Sequence, residues 1–187
     1  LETGLSSDPA MNWRLSTLDR YALISNSDSH SARRIGREAN VFNCELDYDD
    51  LVGALKTKDR AKFLYTVEFF PEEGKYHFDG HRKCGVRLSP SESRRQQLRC
   101  PACGKPVTVG VMNRIEKLAD RPEGETPPHA IPFKHAVPLE ELIAQALGVG
   151  VGTQAVDREY FSLLTRFGTE FAVLLNEVSD LGDVAAI

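Results

Sequence analysis

Apolar and polar positions divide the chain into a mixed first part and a helical last part. Residues 21–27 are apolar and then abruptly polar, which predicts a buried strand that ends in a polar tip. Residues 46–55 place leucine and valine near helical spacing, with acidic residues where a first helical turn would lie. That pattern predicts a helix over about residues 48–56.

Two further ranges predict a small antiparallel sheet in the middle of the chain. Residues 62–80 alternate aromatic and β-branched side chains around Pro-Glu-Glu-Gly at 71–74, which is typical of a β-hairpin with a glycine-containing turn. Residues 106–115, PVTVGVMNRI, have the composition of another strand. We expect these strands to bracket the residues between them.

Prolines separate this region from a helical one. Five prolines within residues 122–138 predict a linker without regular structure. Residues 138–148 then begin with a proline suited to a first helical turn and end at a glycine. About residues 156–175 predict a second helix, whose apolar stripe would contain Phe161, Leu164, Phe171, Leu174, Leu175 and Val178.

Glycines at 148, 150 and 152 lie between the two predicted helices. They suit a helix end followed by a tight turn, and they also suit a backbone site for a DNA phosphate. The turn contains no lysine or arginine, so the first interpretation is favoured.

Composition and charge narrow the class of protein. The chain has 187 residues, of which 41% are hydrophobic and 27% charged, as in a globular protein of one domain or two small ones. A formal net charge of -4 gives no general attraction to nucleic acid, so such binding would need a local basic patch. No apolar run approaches the roughly 20 residues that span a bilayer, and no basic-then-apolar leader opens the sequence.

Four cysteines and one spacing pattern point to a metal site. Three of the cysteines are close together, which is unlike a secreted disulfide framework and predicts a reducing, cytoplasmic location. One H-x2-C pair and one C-x2-C pair can each supply two of the four ligands of a tetrahedral zinc ion. Protein side chains would then fill all four positions, as in a structural zinc site. Its predicted ligands are His81, Cys84, Cys100 and Cys103.

Other interpretations of these residues carry less weight. A redox pair at Cys100 and Cys103 is disfavoured because such motifs open a helix, whereas strands are predicted on both sides here. His77 could replace His81 as the nitrogen ligand, but His81 fits the spacing better. Cys44 is predicted to pack as a small hydrophobic residue.

Basic residues surround the predicted zinc ligands. Only one acidic residue, Glu92, lies among them, whereas a neutral solvated surface would mix both signs. The pattern favours contact with DNA phosphates. The predicted DNA-binding residues are Arg82, Lys83, Arg87, Arg94, Arg95, Arg99 and Lys105.

Asp28 and His30 stand at the polar tip of the first predicted strand. Alternate residues of an extended chain point the same way, so the carboxylate and the imidazole could serve together as ligands of a hydrolytic metal centre. The alternative is a surface turn with Asn26, Ser29 and Ser31 as capping residues. The residues alone leave both interpretations open.

Several motifs together carry a resemblance to a known family. ETGLSSDPAMNWRLSTLD, SNSDSHSARRIGREANVF, FPEEGKYHFDGHRKCG, CPACGK and MNRIEKLADRP occur in this order and cover most of the chain. In this the sequence resembles endonuclease Q and its relatives, which are PHP-family phosphoesterases carrying a zinc ribbon. The resemblance implies a repair nuclease that nicks DNA 5′ to a deaminated base, such as uracil or hypoxanthine, or to an abasic site.

The resemblance also implies a fold and a catalytic site. The fold class is expected to be α+β, with residues 1–60 closing a PHP-type distorted β/α barrel, 61–121 a β-rich zinc ribbon, 122–137 a linker and 138–187 a helical region. In the family the barrel holds divalent ions, zinc, manganese or magnesium, that activate water. Its last ligand motif is Asp-x-His, which maps onto Asp28 and His30 as catalytic, metal-binding residues.

One departure from the family limits the expected activity. The family's N-terminal His-x-His motif has no counterpart here, where His30 is the first histidine. We therefore expect a C-terminal part of the enzyme that binds damaged duplex or single-stranded DNA, without a membrane, and that does not cleave DNA alone. Two other classes remain: a zinc-ribbon adaptor that binds protein or RNA, and a PHP phosphoesterase acting on a small phosphate ester.

Overall fold

The computed structural model describes residues 1–175 and is a mixed α/β structure that divides into two compact units, Leu1–His135 and Ala136–Ile187. Its strands are β1 (Ala39–Phe42), β2 (Phe63–Glu68), β3 (Asp79–His81), β4 (Val86–Leu88) and β5 (Phe133–His135). Its helices are α1 (Pro9–Trp13), α2 (Tyr48–Thr57), α3 (Pro90–Arg95), α4 (Val111–Leu118), α5 (Leu139–Leu147), α6 (Gln154–Phe167) and α7 (Glu170–Leu174). Within the described range, no helix is long and apolar enough to cross a membrane.

A three-stranded sheet forms the centre of the first unit. Strand β2 lies between β1, with which it is antiparallel, and β5, with which it is parallel. Phe63 and Val67 on β2 are fully buried, and the Phe63 ring stacks on Phe42 of β1 with centroids 4.6 Å apart. Helix α2 follows β1 and begins at the N-cap Asp47, as the sequence predicted to within a residue.

The predicted hairpin over residues 62–80 does not form. Strand β3 pairs with β4 and not with β2, because Pro71–Glu73 make a 3-10 turn instead of a hairpin turn. Gly74 then passes so close to the N-terminal segment that a Cβ there would lie 2.2 Å from the Leu5 carbonyl oxygen. The alternating pattern identified β2, whereas residues 75–78 of the second predicted strand form turns and only the end of that range joins β3. Alternation sets which face a side chain occupies and does not set the partner of a strand.

The predicted strand over residues 106–115 forms only isolated bridges in its first half and is helical in its second half. Pro106 forms an isolated bridge with Arg99 and Thr108 forms one with Gly80, and α4 begins at Val111. The backbone N–H of Gly110, the N-cap of α4, donates to a carboxylate oxygen of buried Asp79 at 2.6 Å. Tertiary contacts therefore favour a helix at this point of the chain, although the β-branched residues favour a strand.

The predicted linker also contains a strand. Residues 133–135 form β5 along the edge of the sheet, and the Pro132 carbonyl accepts a hydrogen bond from the Thr66 N–H at 3.0 Å. Proline removes a donor but keeps its acceptor, so an edge position tolerates it. Ala130 and Ile131, just before the strand, are buried.

The described part of the second unit is helical, as predicted. Helix α5 follows Pro138 and ends at Gly148, which takes the left-handed conformation with φ 67°. The second predicted helix is two helices, because Gly168 has φ 87° and Thr169 caps α7 by accepting from the Ala172 N–H at 3.1 Å. The core of this unit consists of Leu139, Ile143, Ala144, Val156, Leu163 and Val173, packed by Tyr160, Phe167 and Leu174.

The predicted apolar stripe of this unit is correct only in part, because Leu174 packs against the core but Phe161 does not. Phe161 is 62% exposed, while Val156 and Leu163 are buried. The break at Gly168 resets the helical register, so a single periodic pattern cannot describe both helices. Val178, the last residue of the predicted stripe, lies outside the described residues.

Candidate metal centre and basic groove

The first half of the candidate metal centre is a tight hairpin. His81 ends β3, Cys84 ends the 3-10 turn that follows, and Gly85 turns the chain into β4 with φ 64°. Gly80 lies against the opposite strand, where a Cβ would be 2.4 Å from the Val86 carbonyl oxygen. The two-residue ligand spacing and the two glycines thus shape this turn together.

The second half is a hydrogen-bonded loop. The Cys100 N–H donates to the Lys105 carbonyl, and the Gly104 N–H donates to the Cys100 carbonyl, both at 2.8 Å. Gly104 has φ 71°, which lets the chain reverse directly after Cys103. Cys100 is buried and Cys103 is exposed, so the loop places one of these residues in the interior and the other at the surface.

A pair of backbone hydrogen bonds joins the halves. Gly80 and Thr108 exchange them at 3.0 and 2.8 Å, which brings the loop beside β3. The resulting cluster could hold a metal ion, because all four candidate ligand atoms lie within 4.8 Å of one another. His81 Nδ1 and Cys103 Sγ, one from each half, are 3.4 Å apart. The members of the cluster are the four predicted ligands, His81, Cys84, Cys100 and Cys103.

His77 is not part of this cluster. Its side chain is 1% exposed, and its Nδ1 lies 3.1 Å from the carbonyl oxygen of Ser6. The choice of His81 over His77 from the spacing therefore agrees with the cluster that the structure forms.

The three thiols perturb one another. Hydrogen bonding with Cys103, together with burial, raises the pKa of Cys84 to about 11. Burial alone would raise the pKa of Cys100, but hydrogen bonds from the backbone N–H groups of Ala102 and Cys103 bring it below its ordinary value. Thiolates bind metals, so a cation among these sulfurs would stabilise the charge that the Cys84 thiol otherwise resists.

Asp28 and His30 do not lie on a strand. In residues 21–27 only Ile24 pairs, through a parallel bridge to Glu2, and Asp28 has φ 44°, a conformation that short polar residues tolerate. The two residues therefore sit in an exposed turn, and the predicted alternation of their side chains along a strand is wrong.

The turn nevertheless orients the imidazole of His30. Its Nδ1 is 2.8 Å from the Asp28 carbonyl oxygen, which can only accept, so Nδ1 carries the proton and Nε2 keeps a lone pair for a metal. Ser29 Oγ donates to the Ser31 carbonyl in the same turn, as a capping residue would. The ligand role of Asp28 and His30 stays a prediction.

Two buried carboxylates near this turn escaped the sequence reasoning. Glu38 and Glu68 are 3% and 0% exposed, and burial, reinforced by the charge of Glu68, raises the pKa of Glu38 to about 7. Glu68 accepts from Thr66 and Thr3 at 2.5 and 2.9 Å, whereas Oε2 of Glu38 has no hydrogen-bond partner among residues 1–175. In the sequence, the one feature that marks Glu38 is the basic residue beside it in GREAN, and that residue does not indicate burial.

The predicted DNA-binding residues divide into two sets. Arg82, Lys83 and Arg87 line one groove of ≈ 660 Å³. The other four lie outside it: Arg94, Arg95, Arg99 and Lys105. Of these, Arg94 forms an ion pair with Glu116 at 2.9 Å, and Arg99 donates to the Gly104 carbonyl at 3.0 Å.

The groove also contains residues from the range 62–80, for which the sequence predicted a hairpin. We call it the basic groove and define it by Lys75, Tyr76, Phe78, Arg82, Lys83 and Arg87. The aromatic and basic residues of KYHF were the available signal, but their grouping with Arg87 depends on the pairing of β3 with β4.

Known proteins resemble this chain in sequence. Residues 138–187 match the family model described as the MJ0043 C-terminal domain. The chain is 31% identical over 194 residues to uncharacterized protein MJ0043 of Methanocaldococcus jannaschii, covering 100% of this chain and 24% of that protein. It is 34% identical over 176 residues to uncharacterized protein YqxK of Bacillus subtilis, covering 93% of this chain and 41% of that one.

Two solved structures match the whole chain. The lesion-specific endonuclease PfuEndoQ of Pyrococcus furiosus superposes with a TM-score of 0.86 at 31% identity, over 100% of this chain and 46% of that one. The chain resembles endonuclease Q. An endonuclease Q complex with a 27-mer duplex bearing an abasic lesion at the active site gives the same TM-score at 30% identity, over 100% of this chain and 47% of that one. This chain thus spans between about a quarter and a half of the length of the proteins that it matches.

Proposed function

We propose that this chain contributes to a DNA-repair endonuclease that nicks DNA 5′ to deaminated bases, such as uracil and hypoxanthine, or to abasic sites. One observation carries the proposal: the structural match of the whole chain to endonuclease Q, in one case in complex with an abasic duplex. The 31% identity accompanies a TM-score of 0.86, so the likeness involves the sequence as well as the fold.

The four-residue cluster is proposed to bind structural zinc. One imidazole and three thiolates whose ligand atoms lie within 4.8 Å of one another are a set that zinc prefers, and they would fill all four positions of a tetrahedral site. A metal there would fix the hairpin that carries Arg82 and Lys83. The proposed role of this zinc is therefore to shape a DNA-binding surface.

Asp28 and His30 are proposed to be ligands at the edge of a PHP-type barrel to which residues 1–60 contribute. A carboxylate oxygen and the free Nε2 of an oriented imidazole suit zinc or manganese, and the carboxylate also suits magnesium. Bound divalent ions supply an activated water at such sites. Two ligands do not complete a multinuclear centre, so we propose that cleavage requires residues beyond these two.

The test measures zinc content and DNA binding together. We expect one zinc per purified chain by elemental analysis. Salt titrations should show binding that weakens as salt rises and that favours duplexes containing deoxyuridine, deoxyinosine or an abasic site over an intact duplex. Bound zinc without DNA affinity would contradict the proposal and favour an adaptor for protein, while preference for RNA would favour an RNA adaptor.

A pair of charge variants sharpens the test. The double substitution of Arg82→Ala and Lys83→Ala should weaken duplex binding and reduce the salt slope by about 0.9 for each phosphate that is no longer neutralised. Lys117→Ala removes an exposed charge on α4 outside the basic groove and should leave the slope unchanged. Equal effects of both variants would show that only overall charge matters.

A further inference from the structure

The basic groove presents an exposed aromatic ring on a fixed backbone. Tyr76 is 57% exposed, its N–H donates to Ser6 Oγ at 3.3 Å, and its carbonyl accepts from the Val111 N–H at 2.8 Å. The Lys75 ammonium lies 5.4 Å from the ring centroid. Because the backbone is already fixed, only the side-chain torsions of Tyr76 lose freedom when a flat ligand stacks on the ring.

A second flat surface lies in the same groove. The guanidinium carbon of Arg87 is 3.9 Å from the ring centroid of Phe78, and its Nη2 donates to the Glu72 carbonyl at 2.5 Å. The hydrogen bond holds the guanidinium plane over the ring. Arginine stacked on an aromatic ring is itself a surface on which a nucleobase can stack.

Cations that face the groove are available for phosphates. Arg82 and Lys83 are exposed, and within residues 1–175 neither is paired with a carboxylate. The groove has four cationic side chains, against the exposed carboxylates of Glu72 and Glu73. Asp79 adds no free charge at its surface, because it is buried and accepts hydrogen bonds from Gly110 and Asn113.

Aromatic rings interleaved with cations are typical of proteins that bind single strands. We propose that the basic groove binds an unpaired stretch of DNA, with one base stacked on Tyr76 and the adjacent phosphates on Arg82 and Lys83. The bases of a duplex are stacked on one another, so the Tyr76 ring could not stack on a base within paired DNA. This inference rests on the proposed function, because a lesion site is where such an enzyme would meet unpaired nucleotides.

The experiment compares two fluorescein-labelled probes by anisotropy. One is an oligothymidylate, and the other is an abasic oligomer of the same length and charge. Tyr76→Ala should weaken binding of the oligothymidylate by about 5- to 150-fold, which corresponds to the stacking of one base. On the abasic oligomer, Tyr76→Ala and the unaltered chain should bind alike, since no base is present to stack.

Two controls separate stacking from folding and charge. Tyr76→Phe keeps the ring and should bind as the unaltered chain does. Tyr48→Ala removes a tyrosine that is 77% exposed on α2 beside acidic residues, and it should change nothing. Arg82→Ala should weaken both probes equally and lower the salt slope by about 0.7, the value for a single-strand phosphate contact.

The outcomes distinguish this inference from the proposed function. If Tyr76→Ala binds oligothymidylate normally, or loses as much affinity for the abasic oligomer, the stacking inference is overturned. Salt-dependent binding to lesion duplexes would then still support the proposed function. If the unaltered chain binds neither oligomer nor duplex, both are wrong. Tighter binding of an RNA oligomer than of the DNA oligomer would also overturn the inference.

Discussion

The His81–Cys103 cluster and the Asp28–His30 turn are both candidate metal sites, and they are built differently. In the cluster, four ligand atoms from two turns lie within 4.8 Å of one another. The turn offers two residues, both exposed, with one nitrogen of the imidazole bonded to the backbone. A structural site can thus be complete within its own segment, whereas a catalytic site draws its ligands from distant parts of a fold.

Removing a ligand of the cluster should have the largest effect. Cys100→Ser replaces the buried sulfur, and we expect loss of zinc, a fall in the thermal midpoint and loss of groove binding. Metal binding and folding are coupled in such small sites, where zinc contributes on the order of 10 kcal/mol in isolated peptides. Elemental analysis, thermal unfolding and the anisotropy assay measure the three effects.

The remote cysteine provides the control for this experiment. Cys44→Ser changes the same atom at a half-buried position outside the cluster, and zinc content and groove binding should not change. A Cys100→Ser variant that keeps one zinc and its thermal midpoint would show that the cluster is not the metal site, and the contrast between the two regions would fail.

The two regions also differ in how much the sequence predicts. The quartet of ligands follows from spacing because each pair is local, with two residues between its ligands on one turn. Helices α2 and α5 follow from caps and periodicity, which are local as well. The shape of the Asp28 turn does not follow from the sequence, because nothing in residues 21–27 distinguishes a strand from a segment with a single bridge.

Features that depend on tertiary packing were beyond the sequence. Helix α4 exists because Gly110 fits against the backbone of Phe78, where a Cβ would lie 2.4 Å from the carbonyl carbon, and because Asp79 receives its N–H. The basic groove brings residues 72–87 beside residues 108–110, and only the strand pairing determines which side chains meet there. Patterns of polarity specify faces, whereas partners require the fold.

A moderate effect is expected from the buried carboxylate near the Asp28 turn. Because the folded-state pKa of Glu38 is raised from 4.5 to about 7, its stabilising effect is fully present below pH 4.5 and is lost as the pH rises through 7. The free energy of unfolding should therefore fall by about 3 kcal/mol between pH 4.5 and 8 through this group. Glu38→Gln should remove that loss and make the chain more stable than the unaltered chain at pH 8.

Urea unfolding at several pH values measures this difference. Glu45→Gln, at an exposed position just before α2, is the matched control and should leave the pH dependence as it is. If Glu38→Gln keeps the full pH dependence, another group causes it and the expectation is wrong. If Glu38→Gln destabilises the chain at pH 8, the carboxylate is ionised and paired in the folded chain. In that case Oε2 of Glu38 would have a hydrogen-bond partner in solution, and the polar groups around it would form a fully hydrogen-bonded network.

The smallest effect on stability is expected at the turn itself. His30→Ala removes an exposed imidazole that is bonded to a backbone carbonyl two residues away, so the free energy of unfolding should change by no more than about 0.5 kcal/mol. Zinc content should stay at one per chain, and the salt slope for DNA should not move, because neither the cluster nor the basic groove contains His30. A fall in zinc content would place His30 among the ligands of the bound ion, and the two sites would then have to be treated as one.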